Sequence, residues 1–314
     1  MSENYLTEYL DELVLYSQKV KEEEGNDTFS YYKRMFDYLS TSYPSRFAIY
    51  EEYITEALDN DDFARLQSVF LHSARTKLLP DGVEGGYDHC DRLWLLLDLL
   101  ACDDFDNVYR VFPEGLPLST NGYPMYIHGT NILLCLLYNS ENATVYPADK
   151  IIDKAEKFAT SKKPLWERSV VSCLLGILQC DVSRISDSLQ KVCEGFAKMN
   201  VAKYMKMQCQ NAYGLIVLAR HFLPEDKFAQ IIYPEYKNFS KNYMSWLLEQ
   251  NELSKDLCIT YPSPIEELNE ILKKQIAITC IHQPNLNSDN PYLSAREKKA
   301  YHVDLKRMLA EFIQ

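Results

Sequence analysis

Glycine is scarce in this sequence, with only 10 glycines among 314 residues, and the scarcity limits the folds and sites it can form. No glycine-rich loop of the GxGxxG or Walker type, which would cradle a phosphate group, is present. No segment alternates apolar and polar residues over a sustained stretch, as strands of an exposed sheet do. We therefore expect neither a nucleotide-binding loop nor a fold built on β-sheets.

Long apolar runs are also missing, and none approaches the length that spans a membrane. The segment from Met1 to Tyr5 is acidic and leads into no signal-peptide core. The nine cysteines form no CxxC pair, and most lie inside apolar runs, as Cys135 does. Such cysteines are typical of reduced core residues in a cytosolic protein. We therefore expect a cytoplasmic protein that does not bind membranes.

Basic residues are few in the first third of the chain. Residues 1–114 contain 24 acidic and 10 basic side chains, a net charge of −14, whereas residues 115–314 contain 21 and 23, a net charge of +2. A strongly acidic surface repels nucleic acid and anionic membranes. The charge therefore indicates either a solvated face or a basic protein partner, and no nucleic-acid ligand.

A short motif that joins two helices recurs along the chain. It reads Leu58-Asp-Asn-Asp61-Asp62-Phe63 and returns as Leu100-Ala-Cys-Asp103-Asp104-Phe105, with a third copy around Asp226 at 223–231 and a looser one around Asp181 at 178–185. Each copy has an apolar helix end, an acidic turn and the start of a new apolar period. An aspartate in the turn suits the N-cap of the second helix, because its carboxylate accepts from the first N–H groups and complements the helix dipole. The motif therefore predicts helical hairpins.

Apolar residues at helical spacing occupy most of the chain, from a first helix at 3–24 to a last helix at 294–313 that begins with a Ser294/Glu297 capping box. We expect an all-α protein of stacked antiparallel helical hairpins, either α-solenoid-like or a compact helical array. The chain is expected to form a single all-helical domain over 1–314. Its charge divides it into an acidic N-terminal part, 1–114, and a C-terminal part, 115–314.

One string in the second copy, Asp103-Asp-Phe-Asp106-Asn107, resembles an enzyme motif. Class I terpenoid synthases are all-α, of similar length, and bind Mg²⁺ through a DDxxD-type helix, since carboxylate oxygens suit that ion. Residues 26–33 resemble the second metal motif of those enzymes, although the two motifs here occur in reversed order. The pair Asp61-Asp62 repeats the pattern where capping explains it. A Mg²⁺-dependent enzyme of this type is therefore an alternative, and not the main prediction.

Other catalytic or metal-binding patterns are lacking. The six histidines are dispersed, and His89-Cys90 has no second ligand pair at zinc spacing. No local signature marks a nucleophilic cysteine or serine. We predict no catalytic residue, no metal site and no cofactor.

The helix, acidic turn and helix units at 58–70 and around 178–181, the latter after the helix that carries Trp166, resemble those of the immunity protein 49 family of bacterial polymorphic-toxin systems. The resemblance spans residues 45–235. It implies a non-enzymatic antidote that binds a cognate toxin in the cytosol and blocks it. A helical-repeat scaffold or adaptor that binds an extended peptide is the second alternative.

The charge suggests how such an antidote would act. A toxin that attacks nucleic acid has a basic groove, and an acidic surface rich in tyrosine, of which the chain has 23, would dock there rapidly and exclude the substrate. We expect the partner to be contacted by the following residues of the first third: Asp59, Asp61, Asp62, Asp103, Asp104, Asp106, Tyr87 and Tyr109.

Overall fold

The computed structural model describes residues 2–41, 44–79, 88–250, 252–274, 280–284, 299–303 and Leu309. Almost all regular structure in this part of the chain is helical, which confirms the predicted all-α class. The helices are α1 (Ser2–Glu24), α2 (Thr28–Ser40), α3 (Pro44–Asp59), α4 (Phe63–Leu78), α5 (Arg92–Leu100), α6 (Val108–Val111), α7 (Pro124–Tyr138), α8 (Ala148–Ala159), α9 (Leu165–Leu178), α10 (Val182–Phe196), α11 (Lys203–Met207), α12 (Gln210–Phe222), α13 (Glu225–Phe228), α14 (Lys241–Glu249) and α15 (Glu267–Lys273). Short 3-10 turns at His89–Asp91 and Phe105–Asn107 precede α5 and α6.

The helix predicted over 294–313 is wrong at Lys299–Val303, although Leu309, the other described residue of that range, is helical. Lys299–Val303 forms a strand, β2, that pairs antiparallel with β1 at Cys280–Pro284, so that Cys280 lies opposite Val303. Both strands carry β-branched or aromatic residues, and pairing between segments this far apart leaves no periodic signal in either one. The Ser294/Glu297 capping box lies outside the described residues.

Apolar residues at helical spacing over 201–222 predict one helix, but the structure divides this segment in two. The backbone N–H of Cys209 donates to the carbonyl of Asn238, 2.7 Å away, and not to a helical carbonyl. Helix α11 therefore ends at Met207 and α12 begins at Gln210. A contact with a residue this distant along the chain cannot be read from the helical period of either segment.

The recurring turn has one backbone geometry in three places. Asp61, Asp103 and Cys180 all adopt left-handed conformations, with φ of 52°, 53° and 54°. In each turn the next N–H donates back to a carbonyl five residues earlier: Asp62 to Ala57 (2.8 Å), Asp104 to Leu99 (3.2 Å) and Asp181 to Gly176 (2.9 Å). This is the Schellman motif, which closes the C-terminus of a helix by satisfying its last carbonyls. The repeat is therefore first a device for ending a helix.

The capping role predicted for the aspartates is confirmed in two copies. Asp62 accepts from the backbone N–H of Arg65 and begins α4, and Asp181 accepts from Arg184 and begins α10, each at 3.0 Å. The prediction is wrong for the other two copies. Asp104 makes no such bond, and Asp226 lies within α13, whose N-cap is Pro224. The copy at 223–231 therefore resembles the others in sequence but not in backbone conformation.

The helices form a compact array. Successive helices pack as hairpins, as α9 does with α10. Other pairs join distant parts of the chain, including α5 with α12, α3 with α11, and α4 with both α14 and α15. In a solenoid each unit touches only its neighbours. Of the two predicted architectures, the compact array is therefore the one observed.

A chain of buried polar groups links four of the central helices. Lys77 of α4 donates to Asp98 of α5 (3.1 Å), which accepts from Asn211 of α12 (3.3 Å), and Asn211 in turn accepts from the indole N–H of Trp166 in α9 (3.1 Å). Buried polar groups are costly unless they are paired. This series of hydrogen bonds therefore sets the relative positions of the four helices as well as their separation.

Most of the described cysteines are core residues, as predicted, because the side chains of Cys90, Cys102, Cys135, Cys173, Cys193 and Cys209 are buried. Cys180 is exposed and Cys258 is partly exposed. Within the described ranges, no helix combines the length and the apolar character that crossing a bilayer requires.

Candidate functional site

The residues predicted to contact a partner differ in exposure. Asp59, Asp61, Asp62, Asp106 and Tyr109 are exposed, and Asp103 is half-buried. Asp104 is buried, and Tyr87 lies outside the described residues. Five of the eight predicted residues are thus at the surface.

Asp104 is held in an internal ion pair. Its Oδ2 accepts from Nε and Nη2 of Arg75, at 2.9 and 2.6 Å, and the Arg75 side chain is 1% exposed. The same guanidinium donates to the backbone carbonyls of Leu272 (2.9 Å) and Lys274. The carboxylate that the sequence suggests as a surface contact therefore holds α4, the second turn and the end of α15 together.

A cleft of about 550 Å³ opens beside this ion pair. Three elements line it: α4, the second acidic turn, and the irregular segment that follows α14. Their contributions are Gln67 and Leu71, then Cys102, Asp103, Asp104 and Asp106, then Gln250, Glu252, Leu253, Ser254 and Lys255. We call it the central cleft.

Two further clefts adjoin the central cleft. One, of about 470 Å³, shares Gln67 and Ser254 with it and reaches Asp62 of the first turn. The other, of about 480 Å³, shares Asp103 and Gln250 with it and reaches the end of α12. We call the three adjoining clefts the furrow. The two acidic turns, which are 42 residues apart in sequence, therefore border adjoining clefts.

The carboxylates of the furrow are not equivalent. Burial raises the pKa of Asp103 to about 6, with Arg220 opposing the shift and Asp104 and Asp106 adding to it. Asp106 and Glu252 are exposed at the rim. Near neutral pH the furrow therefore displays negative charge, and the charge on Asp103 depends on pH just below neutrality.

The α12 end of the furrow carries the only described histidine that lines it. The His221 ring stacks on Phe105, with centroids 4.0 Å apart, and burial lowers the His221 pKa. Arg220 lies next to it on the same helix end. This end is therefore less acidic than the central cleft.

The furrow does not have the arrangement that a terpenoid synthase would need. Both aspartates of its metal motif would have to open into a deep apolar cavity, whereas Asp104 is engaged by Arg75 and the central cleft is largely polar. Asp27, from the second motif, caps α2 by accepting from the N–H of Ser30. Among the described residues, no set of three or more His, Cys, Asp or Glu side chains is placed to hold a metal ion.

A second polar cluster lies in the core and contains a cysteine close to a histidine. Nδ1 of His72 is 3.2 Å from the Cys258 sulfur, and Nε2 is 2.7 Å from the Tyr261 hydroxyl. Burial lowers the pKa of His72 to about 3 and raises that of Cys258, so both are neutral at physiological pH. A thiol without thiolate character is a poor nucleophile, and the cluster is structural.

The sequence does not reveal the second wall of the furrow. The sequence predicts a helix over 239–251 and an irregular stretch over 252–262; Glu252, Ser254 and Lys255 belong to the irregular stretch, as predicted, and Gln250 lies just after the end of α14. Gln67 occupies a buried position on α4. Nothing in the composition of either segment indicates that they face each other, because the contact joins residues 187 positions apart.

No family model matches the chain, and neither the curated proteins nor the solved structures include one that is significantly similar to it.

Proposed function

We propose that this chain is a non-catalytic binding protein that docks onto a basic partner protein through the acidic rim of the furrow. The observation that carries the proposal is that the two acidic turns line adjoining clefts. Asp62 from the first turn and Asp106 from the second are exposed and line these clefts. A concave surface with carboxylates from two separate elements is suited to a convex basic surface.

Charge distribution supports the same class of partner. The excess of acidic residues is confined to 1–114, the part that supplies both turns. A field of one sign accelerates association with an oppositely charged protein and discourages nucleic acid and anionic membranes. Under this proposal the partner is a toxin with a basic substrate groove, the antidote acts in the cytoplasm of the producing cell, and docking excludes the substrate.

Two predicted alternatives fit the described residues less well. The scaffold alternative expects an open superhelix with a concave face, whereas the helices form a compact array. The terpenoid alternative expects two available aspartates, whereas Asp104 is paired with Arg75. Binding through the acidic turns needs neither feature.

The proposal is tested by identifying the partner and then measuring the affinity as a function of salt. The tagged protein is used to capture partners from its source cells, and the captured protein is purified and titrated by calorimetry. We expect a basic partner whose affinity falls as NaCl rises from about 50 to about 300 mM, because exposed charges are screened over that range. The paired variant Asp62→Asn/Asp106→Asn, which removes one furrow carboxylate from each acidic turn, should weaken binding.

A matched control removes two charges elsewhere. Glu141→Gln/Asp149→Asn changes two exposed acids in the C-terminal part of the chain, and we expect it to leave the affinity within about twofold of the wild type. Binding that is independent of salt, or equal loss in the control, would contradict docking through the acidic turns.

A further inference from the structure

Two buried thiols contact each other between α10 and α12. Cys193 belongs to α10, Cys209 immediately precedes α12, and both side chains are 0% exposed. The two thiols are hydrogen-bonded, and this contact, together with burial, raises the pKa of Cys193. A disulfide forms without backbone movement only where two cysteine side chains already meet, because its Cβ atoms lie about 4 Å apart. The pair therefore meets the first condition for a disulfide.

One residue also bonds to the main chain of both cysteines. The side-chain amide of Asn238 donates to the carbonyl of Cys193 at 3.1 Å, and the carbonyl of Asn238 accepts from the N–H of Cys209 at 2.7 Å. These two bonds do not involve the sulfur atoms. Asn238 therefore holds the two main chains in place around the thiol contact.

Asn238 ends an irregular segment, residues 231–238, that lies along α10, and we call this segment the strap. Backbone N–H groups of the strap donate to Oγ of Ser186 at 3.0 Å and to Oε1 of Gln190 at 2.9 Å. Oδ1 of Asn238 is buried and accepts no hydrogen bond from a described residue, which is costly. A segment without regular structure, held by few bonds, opens more readily than the helices beneath it.

We propose that Cys193 and Cys209 form a reversible intramolecular disulfide when a peroxide reaches them through the opened strap. While the strap is closed, both thiols are buried and therefore inert. Opening breaks the bonds of Asn238 and admits water and oxidant to the pair. This inference does not depend on the proposed function.

The reaction uses only the two thiols and the peroxide. One sulfur, as a thiolate, attacks a peroxide oxygen, so that the O–O bond breaks and a sulfenic acid and one water form. The second thiol then attacks the sulfenic sulfur, the S–O bond breaks, and a second water leaves as the S–S bond forms. The peroxide accepts two electrons, and the two thiol protons leave in the two waters.

The test maps the disulfide in the full-length protein. The folded protein is treated with hydrogen peroxide, remaining thiols are blocked with N-ethylmaleimide, and the chain is digested with trypsin without reduction. Trypsin cleaves after lysine and arginine, so Cys193 is released in 192–198 and Cys209 in 207–220, each as the single cysteine of its peptide. We expect mass spectrometry to find these peptides joined, two hydrogen atoms lighter than their sum, and separated again by dithiothreitol.

Two sets of variants test the pair and the strap. Cys193→Ser should abolish the linked peptide, whereas Cys180→Ser, which removes an exposed thiol, should leave it. Ser186→Ala/Gln190→Ala removes two bonds of the strap and should make the linked peptide appear at least about threefold faster. Ser183→Ala, at an exposed position of α10, should leave the rate within about twofold. Thermal unfolding of each variant checks that it is folded.

Three results would overturn the inference. The first is the absence of the linked peptide from the treated wild type. The second is a disulfide between Cys173 and Cys180 instead, because these two are closer in sequence and would be favoured in an unfolded chain. The third is an equal rate in Ser186→Ala/Gln190→Ala and Ser183→Ala, since the strap would then not control access.

Discussion

At the scale of single residues, the turn motif shows how one sequence pattern covers different physical roles. Asp62 and Asp181 cap helices, Asp104 neutralises a buried arginine, and Asp226 does neither. The copies are similar in sequence because each ends one helix and begins another. The role of each carboxylate depends on which donors lie within reach.

Replacing the aspartate of the turn motif should destabilise the protein at Asp181 but not at Asp226, although the two copies are similar in sequence. We expect Asp181→Ala to lower the free energy of unfolding by about 1 kcal/mol, because the N–H of Arg184 loses its acceptor. Asp226→Ala should change it by no more than about 0.5 kcal/mol. Chemical denaturation measures both, and Asp181→Asn, which keeps an accepting oxygen, is the control. Equal losses at the two positions would contradict the structure.

A buried histidine should make stability depend on pH. Burial lowers the pKa of His72 from 6.5 to about 3. Between these two pH values the imidazole is protonated in the unfolded chain and neutral in the folded chain. The contribution of His72 is fully present above pH 6.5 and is lost as pH falls from there toward 3. Between about pH 7 and pH 5, the wild type should therefore lose roughly 2 kcal/mol more than His72→Gln. Denaturation curves at both pH values measure this, and parallel losses would contradict it.

At the scale of elements, helix α12 packs unusually close to α5. A Cβ at Gly214 would overlap the backbone carbonyl oxygen of Leu97, which belongs to α5 and cannot move by itself. A Cβ at Gly129 of α7 would instead meet the end of the Leu93 side chain, which can rotate. At Gly214 the approach of the two helices is therefore limited by backbone atoms, whereas at Gly129 it is limited by a side chain.

These glycines give a matched pair of substitutions. Gly214→Ala should destabilise the protein by about 1–3 kcal/mol, because the helices must separate to admit the methyl group. Gly129→Ala should cost less, because the Leu93 side chain can rotate away from the methyl group, whereas the higher helix propensity of alanine, about 1 kcal/mol, favours both substitutions alike. Thermal and chemical unfolding test the order, and a larger loss for Gly129→Ala would contradict it.

The ion pair of Arg75 and Asp104 joins three elements at the floor of the furrow. Asp104→Ala should lower the free energy of unfolding by about 3–5 kcal/mol, because it leaves a guanidinium buried without its counter-charge. Asp106→Ala, two residues away and exposed, should change it by no more than about 0.5 kcal/mol. Chemical denaturation measures both. A loss below about 1 kcal/mol for Asp104→Ala would show that the pair is dispensable.

At the scale of the whole molecule, the furrow draws its walls from the acidic first third and from the segment after α14. The charge of its centre depends on Asp103, whose pKa of about 6 reflects burial. The groups that face Asp103 or line the same clefts are Arg220 and His221 from α12, Asp104 and Asp106 from its own turn, and Glu252 and Lys255 from the opposite wall. A positively charged guest would therefore bind best when Asp103 is ionised.

Affinity for a basic partner or peptide should rise with pH across the pKa of Asp103. We expect weaker binding at about pH 5 than at about pH 7, by roughly threefold to tenfold, because a protonated Asp103 offers no charge to the guest. Asp103→Asn should bind weakly at both values and remove most of the difference, and asparagine tolerates the left-handed backbone there. Anisotropy titrations at both pH values measure the effect. A pH dependence that survives in Asp103→Asn would assign it to another group.

Much of the fold follows from local pattern. Helical periods identify most of the helices, Asp62 and Asp181 mark two helix starts, and apolar surroundings place the cysteines in the core. The boundaries that were wrong share one cause. The break at Gln208 and Cys209 and the strand at Lys299–Val303 both depend on partners far along the chain, which a local period cannot reveal.

The sequence by itself determined that the chain is helical, that its helices end in acidic turns and that negative charge is concentrated in its first third, because propensity, capping and charge are properties of neighbouring residues. Only the tertiary structure decided which aspartates face solvent. Arg75 withdraws Asp104 into the core, and the segment from Gln250 to Lys255 meets Gln67 across the chain to make a cleft. Burial and clefts arise from contacts between distant residues, so the candidate site appears only when the helices are packed.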